Sequence, residues 1–263
     1  YYAEELWLAT PDNGLCASLY AASEVSAKVG EGATVTITEE TDYPLSETIT
    51  FKISLPEPAA FPLYLRVPRW CDGAAVAVND TALAVDARPL SFVRINRQWK
   101  EGDTVRLTLP MKVAVRTWEQ NQNAVSVDHG PLTYSLAIAQ RWEKYGNRHA
   151  DWPEWEVFPA SAWNYALVLD AAAPEESFQV ERAAGPVPPQ PFTPETVPVK
   201  LKAKARKIPN WQLDQLGLVD KLQPSPVKTS EPVEDVTLIP MGAARLRITA
   251  FPTAAADDQG PDW

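Results

Sequence analysis

Thr48-Ile49-Thr50-Phe51-Lys52-Ile53-Ser54 alternates polar and apolar side chains without a break. On an extended backbone successive side chains point to opposite faces. Ile49, Phe51 and Ile53 therefore share one face, and the threonines, Lys52 and Ser54 share the other, as in a strand with one buried side. The same period recurs in Thr34-Val35-Thr36-Ile37-Thr38 and in Thr104-Val105-Arg106-Leu107-Thr108-Leu109. Residues 61–67, 75–78, 92–96, 112–117 and 125–128 extend the series, and strands resume at 197–205, 236–239 and 244–250. No later segment holds apolar spacing at 3.6 residues for three turns; only residues 4–9 read as the tail of a helix begun upstream.

The punctuation between these runs agrees. Asp12-Asn13-Gly14 and Glu31-Gly32 supply residues that tolerate positive φ. Lys100-Glu101-Gly102-Asp103 reads as a hairpin turn, and Asn79-Asp80 as the turn between Val76 and Leu83. Pro44, Pro56, Pro58 and Pro110 stand at strand ends, where a missing amide donor does least harm. Short strands at this spacing predict an all-β chain built as two β-sandwich or jelly-roll domains.

The chain has 263 residues, 45% hydrophobic and 22% charged, which is ample for two buried cores. Its 25 prolines are about twice the average share. A net charge of -10 repels phosphate backbones and argues against nucleic acid as a partner. No apolar run is long enough to span a bilayer as a helix, so no membrane partner is expected. The opening Tyr1-Tyr2-Ala3-Glu4-Glu5-Leu6-Trp7 reads as the middle of a longer polypeptide.

Composition changes after about Trp118. Residues 140–163 are rich in Trp, Glu, Asn and Pro and read as a long aromatic loop. Residues 185–198 are too rich in proline for helix or central strand. The expected division is a linker over 1–18, a first sandwich over 19–118 and a second over 119–263. The final strand, 236–252, belongs to the second domain or returns to the first. Residues 254–263 read as a tail.

Candidate chemistry is sparse. Glycoside hydrolysis usually needs two carboxyl groups flanking the bond. Glu39 and Glu40 are adjacent on a strand and must face opposite ways. Glu154 and Glu156, in Trp152-Pro153-Glu154-Trp155-Glu156, stand among aromatics able to stack on sugar rings. With Trp142 they form the candidate carbohydrate-contact set: Trp142, Trp152, Glu154, Trp155 and Glu156. The default reading of such tryptophans is packing of a surface loop. Asp128-His129 pairs a carboxylate with an imidazole, but Ser126 and Ser135 lie on predicted strands and complete no triad. Cys16, Cys71, His129 and His149 share no metal-ligand spacing. No phosphate-binding glycine loop occurs. The basic run 200–207 alternates with apolar residues and reads as one solvated strand face. From the residues alone no catalytic residue, metal ligand or cofactor is assigned.

Five blocks in order resemble glycoside hydrolase family 127. They are Thr10-Pro11-Asp12-Asn13-Gly14-Leu15-Cys16-Ala17-Ser18-Leu19-Tyr20 with Ser23-Glu24 and residues 39–44; Pro62-Leu63-Tyr64-Leu65-Arg66-Val67-Pro68-Arg69-Trp70-Cys71; Ser126-Val127-Asp128-His129-Gly130-Pro131-Leu132-Thr133-Tyr134; residues 163–169; and residues 238–252. The family's founding activity is β-L-arabinofuranosidase. The resemblance implies a bacterial parent with an N-terminal (α/α)6 barrel followed by two β-sandwiches. In that barrel a cysteine of a Cys-Cys motif is the nucleophile, within a zinc site of cysteines and a glutamate, and a second glutamate is the acid/base. No adjacent cysteine pair occurs in this chain, so neither role passes to Cys16 or Cys71, and the catalytic barrel is absent from it. The expected role is a non-catalytic C-terminal portion that braces the barrel and shapes its cleft. Plant-type glycans are reached through the parent, and a homodimer and the cellular compartment are left open. The competing readings are a stand-alone carbohydrate-binding module and a protein-interaction sandwich.

Overall fold

The computed structural model describes residues 2–146 and 151–254. His149 and residues 255–263, most of the expected tail, lie outside the described residues. The chain is almost entirely β and divides into two compact units, Tyr1–Lys112 and Val113–Trp263.

The first unit holds β1 (Trp7–Ala9), β2 (Leu15–Ala17), β3 (Ser23–Val29), β4 (Ala33–Thr41), β5 (Thr48–Ser54), β6 (Ala59–Val67), β7 (Ala75–Val78), β8 (Thr81–Ala82), β9 (Ser91–Trp99) and β10 (Thr104–Thr108). They form a four-stranded sheet, β1-β2-β6-β9, and a six-stranded sheet, β3-β4-β5-β10-β7-β8. Inward side chains of both sheets make one core: Leu63, Leu65, Val93 and Trp99 from the first, Val35, Ile37, Ile49, Phe51, Ile53 and Leu107 from the second. This is a β-sandwich, and the alternation of residues 48–54 is its inner face: Ile49, Phe51 and Ile53 are buried while Lys52 is exposed.

Two expectations change here. Residues 7–17 are strands of this unit rather than a linker or helix tail: Ala3–Glu5 is one short 3-10 turn, and β2 pairs in parallel with β6, Leu15 opposite Leu63. The reason is burial, since Leu15 and Ala17 fill the core. Lys100–Asp103 is a turn but not a hairpin, because β9 pairs with β6 and β10 with β5 and β7. The chain crosses from one sheet to the other there, held by the Lys100 amide donating to Asp103 Oδ2 (2.9 Å) and the Leu55 amide donating to Glu101 Oε2 (2.6 Å).

Asn79-Asp80 does close the β7–β8 hairpin, with φ of 50° and 60°. The Asn79 side-chain Nδ2 also donates to Asp103 Oδ1 (2.7 Å), and its side-chain Oδ1 accepts from the Thr104 backbone amide (2.8 Å). Asn79→Ala forces an alanine into the left-handed region and removes both bonds. It should cost about 2 kcal/mol, and Asn79→Gly less, since glycine relieves the backbone part. Urea denaturation of the two variants checks the order.

The second unit holds β11 (Val113–Trp118), β12 (Ala124–His129), β13 (Leu132–Leu136), β14 (Gln140–Tyr145), β15 (Glu154–Pro159), β16 (Tyr165–Val168), β17 (Gln179–Arg182), β18 (Val199–Lys207), β19 (Val233–Pro240) and β20 (Thr253–Ala254). Val113–Trp118, expected in the first domain, is an edge strand here because it pairs along its length with β12. The main sheet runs β11-β12-β13-β19-β18-β16-β20, with β17 added on β18. It curls: Phe251 exchanges two backbone hydrogen bonds with Val125, and the Leu167 amide donates to Pro252 O (2.9 Å). The segment ending in β20 thus ties β12 to β16, a half-barrel around Tyr134, Leu167, Leu201, Trp211, Leu238 and Phe251. The sheet's own curvature supplies the opposing layer.

β19 pairs with β13 and β18, so the late strand stays in the second unit. Residues 244–250 form no strand; the segment is tethered instead by Ile248, whose amide donates to Ser135 Oγ (3.1 Å) and whose carbonyl accepts from Leu136. The basic run lies on β18 with Val199, Leu201, Ala203 and Ala205 inward and the cations outward. Lys204 pairs with Asp235 and Lys207 with Glu234 across to β19.

Candidate functional site

The aromatic segment is not a loop. Gln140–Tyr145 and Glu154–Pro159 pair antiparallel as a two-stranded sheet of their own, with Trp142 opposite Val157, Glu143 opposite Glu156, Lys144 opposite Trp155 and Tyr145 opposite Glu154. Directly opposed residues share a face, and neighbours along a strand do not. One face therefore carries Trp142, Lys144, Trp155 and Val157; the other carries Arg141, Glu143, Tyr145, Glu154 and Glu156. Trp142 and Trp155 meet edge to face, ring centroids 6.3 Å apart at 76°. Arg141 stacks over Phe158 (4.9 Å) and pairs with Glu143. Trp152 precedes β15 and is 79% exposed.

The structure thus separates what the sequence grouped. Trp142 and Trp155 come together, but Glu154 and Glu156 project from the opposite face. Both glutamates are exposed, whereas a glycosidase acid works from an enclosed apolar setting.

Asp128 and His129 point to opposite faces of β12. Asp128 binds Arg116 (3.0 Å) and accepts from Thr133 Oγ1 (2.6 Å), while His129 is buried edge-on to Tyr134. Ser126 accepts from Trp118 Nε1 (3.0 Å) and Ser135 lies under residue 248. Among the described residues no three His, Cys, Asp or Glu side chains group as metal ligands do.

Cys16 and Cys71 are both buried free thiols, and burial pushes each up to about 11. They do not fit a thiolate–metal site. Neither should react with a disulfide reagent at pH 8 while the chain is folded, and both should react in denaturant; titration with a chromogenic disulfide reads this directly.

Of the adjacent pair Glu39 and Glu40, Glu39 takes the inward face and is only 1% exposed. Its Oε1 accepts from the Ala21 amide (3.1 Å), and Oε2 lies 3.4 Å from Ser23 Oγ, which accepts from Trp7 Nε1 (3.1 Å). Burial pushes its carboxyl up to about 8, against the hydrogen bonds from Ser23 and Ala21, which favour the charged form. The signal was available: Glu39 continues the period Val35, Ile37. A second network, Asp12 with Thr10 (2.6 Å), Tyr64 (2.7 Å) and Arg94 (3.1 Å), ties the β1–β2 turn to β6 and β9. Gly14 is fixed in that turn, because a Cβ there would fall 2.2 Å from Pro62 O.

An open groove of about 950 Å³ in the second unit has Val115, Val125, Val168, Leu169 and Pro226 among its lining residues. Its charged members are engaged elsewhere, Lys204 by Asp235 (2.7 Å) and Asp170 by the Ala172 amide (2.8 Å).

Residues 14–111 match the family model described as beta-L-arabinofuranosidase, GH127 middle domain. That segment is nearly all of the first unit. No curated protein matches the chain. Solved structures share its fold, three of them as follows. One is described as a glycoside hydrolase, with TM-score 0.65 and 23% identity over 94% of this chain and 37% of that one. A GH127 beta-L-arabinofuranosidase from Geobacillus stearothermophilus T6 has TM-score 0.62 and 23% identity over 95% and 34%. A GH127 beta-arabinofuranosidase has 0.61 and 18% over 94% and 36%. The chain therefore spans only about a third of each of these solved chains.

Proposed function

We propose that this chain is the non-catalytic β portion of a glycoside hydrolase of the GH127 kind, and that it braces a catalytic domain contributed by the rest of a longer polypeptide. The observation that carries the reading is the agreement of residues 14–111 with the GH127 middle domain. The chemistry of the described residues supports it. Glu154 and Glu156 stand in solvent, Asp128 and His129 part to opposite faces, and Glu39 is sealed in a core. Zinc, which the family resemblance implies for the parent, finds no fitting ligand set among the described residues. Bond cleavage and contact with plant-type glycans fall to the remainder of the parent.

The test compares this chain with the complete gene product on an aryl β-L-arabinofuranoside. Turnover is expected from the complete product and none from the chain alone; turnover by the chain alone refutes the reading. Affinity electrophoresis through plant polysaccharides should leave the chain unretarded. Retardation would favour the carbohydrate-binding module instead.

A further inference from the structure

Resting on that reading, we propose that the aromatic face of the β14–β15 hairpin is a protein-docking face and not a sugar platform. Its partner is an apolar, carboxylate-bearing surface on the part of the parent polypeptide outside these 263 residues. The register sorts the hairpin into two chemically distinct faces. On the aromatic face Trp142, Trp155 and Val157 are continuous, with Gln140 at the base and Lys144 toward the tip. Trp142 and Trp155 remain 47% and 51% exposed.

A sugar platform needs flat ring faces together with polar side chains on the same side to bind hydroxyls. Here the rings meet at 76°, so the edge of one occupies the face of the other. The groups suited to hydroxyls, Glu154, Glu156, Tyr145 and Glu143, project from the opposite side. What remains on the aromatic side is two tryptophans, an aliphatic neighbour, one cation and Gln140 at the base, with no carboxylate among them, which is nearer the composition of an interface core.

Two further observations point to the occupant. The hairpin pairs with no other strand among the described residues, and a lone two-stranded hairpin is marginal in water, so a covering surface would stabilise it. The solved chains of this fold are about three times as long as their matched part, which leaves a large polypeptide surface to supply that cover. Lys144, opposite Trp155, sets the requirement for a carboxylate at the rim of the partner's apolar patch.

Amide hydrogen exchange of the complete gene product tests this, comparing wild type, Trp142→Ser/Trp155→Ser and the milder Lys144→Glu. In the double variant, exchange in a discrete patch outside residues 1–263 should quicken roughly tenfold or more, together with the hairpin strands. Lys144→Glu should quicken the same patch to a smaller degree. Quickening confined to the hairpin overturns the docking face. So does protection of residues 140–145 and 154–159 by an arabinofuranosyl oligosaccharide, which would establish a sugar platform. If the wild-type product cleaves the aryl arabinofuranoside while the patch stays unmoved, docking alone fails. If the complete product carries no glycosidase activity, the reading beneath it fails.

Discussion

Glu39→Gln should leave the stability of the first unit unchanged near pH 4 and raise it progressively as the pH climbs to about 8. The wild-type carboxyl is buried, with its folded value raised from 4.5 to about 8. Below pH 4.5 the side chain is neutral in both states and the variant has no advantage. Between 4.5 and about 8 the unfolded chain loses the proton while the folded chain keeps it, so the unfolded state is increasingly favoured. Above about 8 both states are ionised and the deficit stays constant. The displacement from 4.5 to about 8 sets its ceiling at about 5 kcal/mol. Glutamine is neutral throughout and isosteric. Its carbonyl can accept from the Ala21 amide and its NH2 can donate to Ser23 Oγ, so the link to Trp7 survives. Because the chain has two units, the transition of the first is best followed through β4 and β5 amide exchange between pH 4 and pH 9. Parallel pH profiles for the two proteins would show that Glu39 is ionised in the folded state.

Trp99→Ala should be the most damaging single truncation in the same unit, at about 4 kcal/mol or more. Trp99 ends β9 on the inner face of the four-stranded sheet and is fully buried. Its ring lies 5.8 Å from Phe61, its Nε1 donates to Phe61 O (2.9 Å), and Arg97 stacks over it at 5.2 Å. Alanine leaves a large cavity and an acceptor without its donor. Trp99→Phe separates the two effects, since it keeps most of the volume and loses only the bond. It should cost about 1–2 kcal/mol. Equal losses for Ala and Phe in chemical denaturation would mean that the hydrogen bond, not the packing, holds this corner.

Both predictions rest on positions that alternation alone could locate. The period-2 runs correctly marked β5 and the inner faces of β4 and β10, and extending the β4 run by one step puts Glu39 in the core beside Val35 and Ile37. The Asn79-Asp80 turn was equally legible, because left-handed backbone leaves a local residue signature. The Lys100–Asp103 turn was legible as a turn but not as a crossing, since the same four residues serve a hairpin or a step between sheets. The strands of the 140–163 segment were not legible because neither of them buries a face, so its tryptophans and glutamates are both exposed and carry no inside–outside contrast. Trp155 stands on the face opposite Glu154 and Glu156 for a related reason: neighbours along a strand alternate faces rather than sharing one.

By itself the sequence determined an all-β chain, the inward residues of its strands and its sharp turns. These are local properties, set by side-chain period and backbone preference. Tertiary structure alone decided that β2 runs parallel to β6, that β9 and β10 belong to different sheets, that the second sheet curls until residue 251 meets residue 125, and that the hairpin tryptophans and glutamates face apart. Each of those depends on which backbone amides pair over long separations, and that choice is settled by burying whole faces together, a quantity no short run of residues encodes.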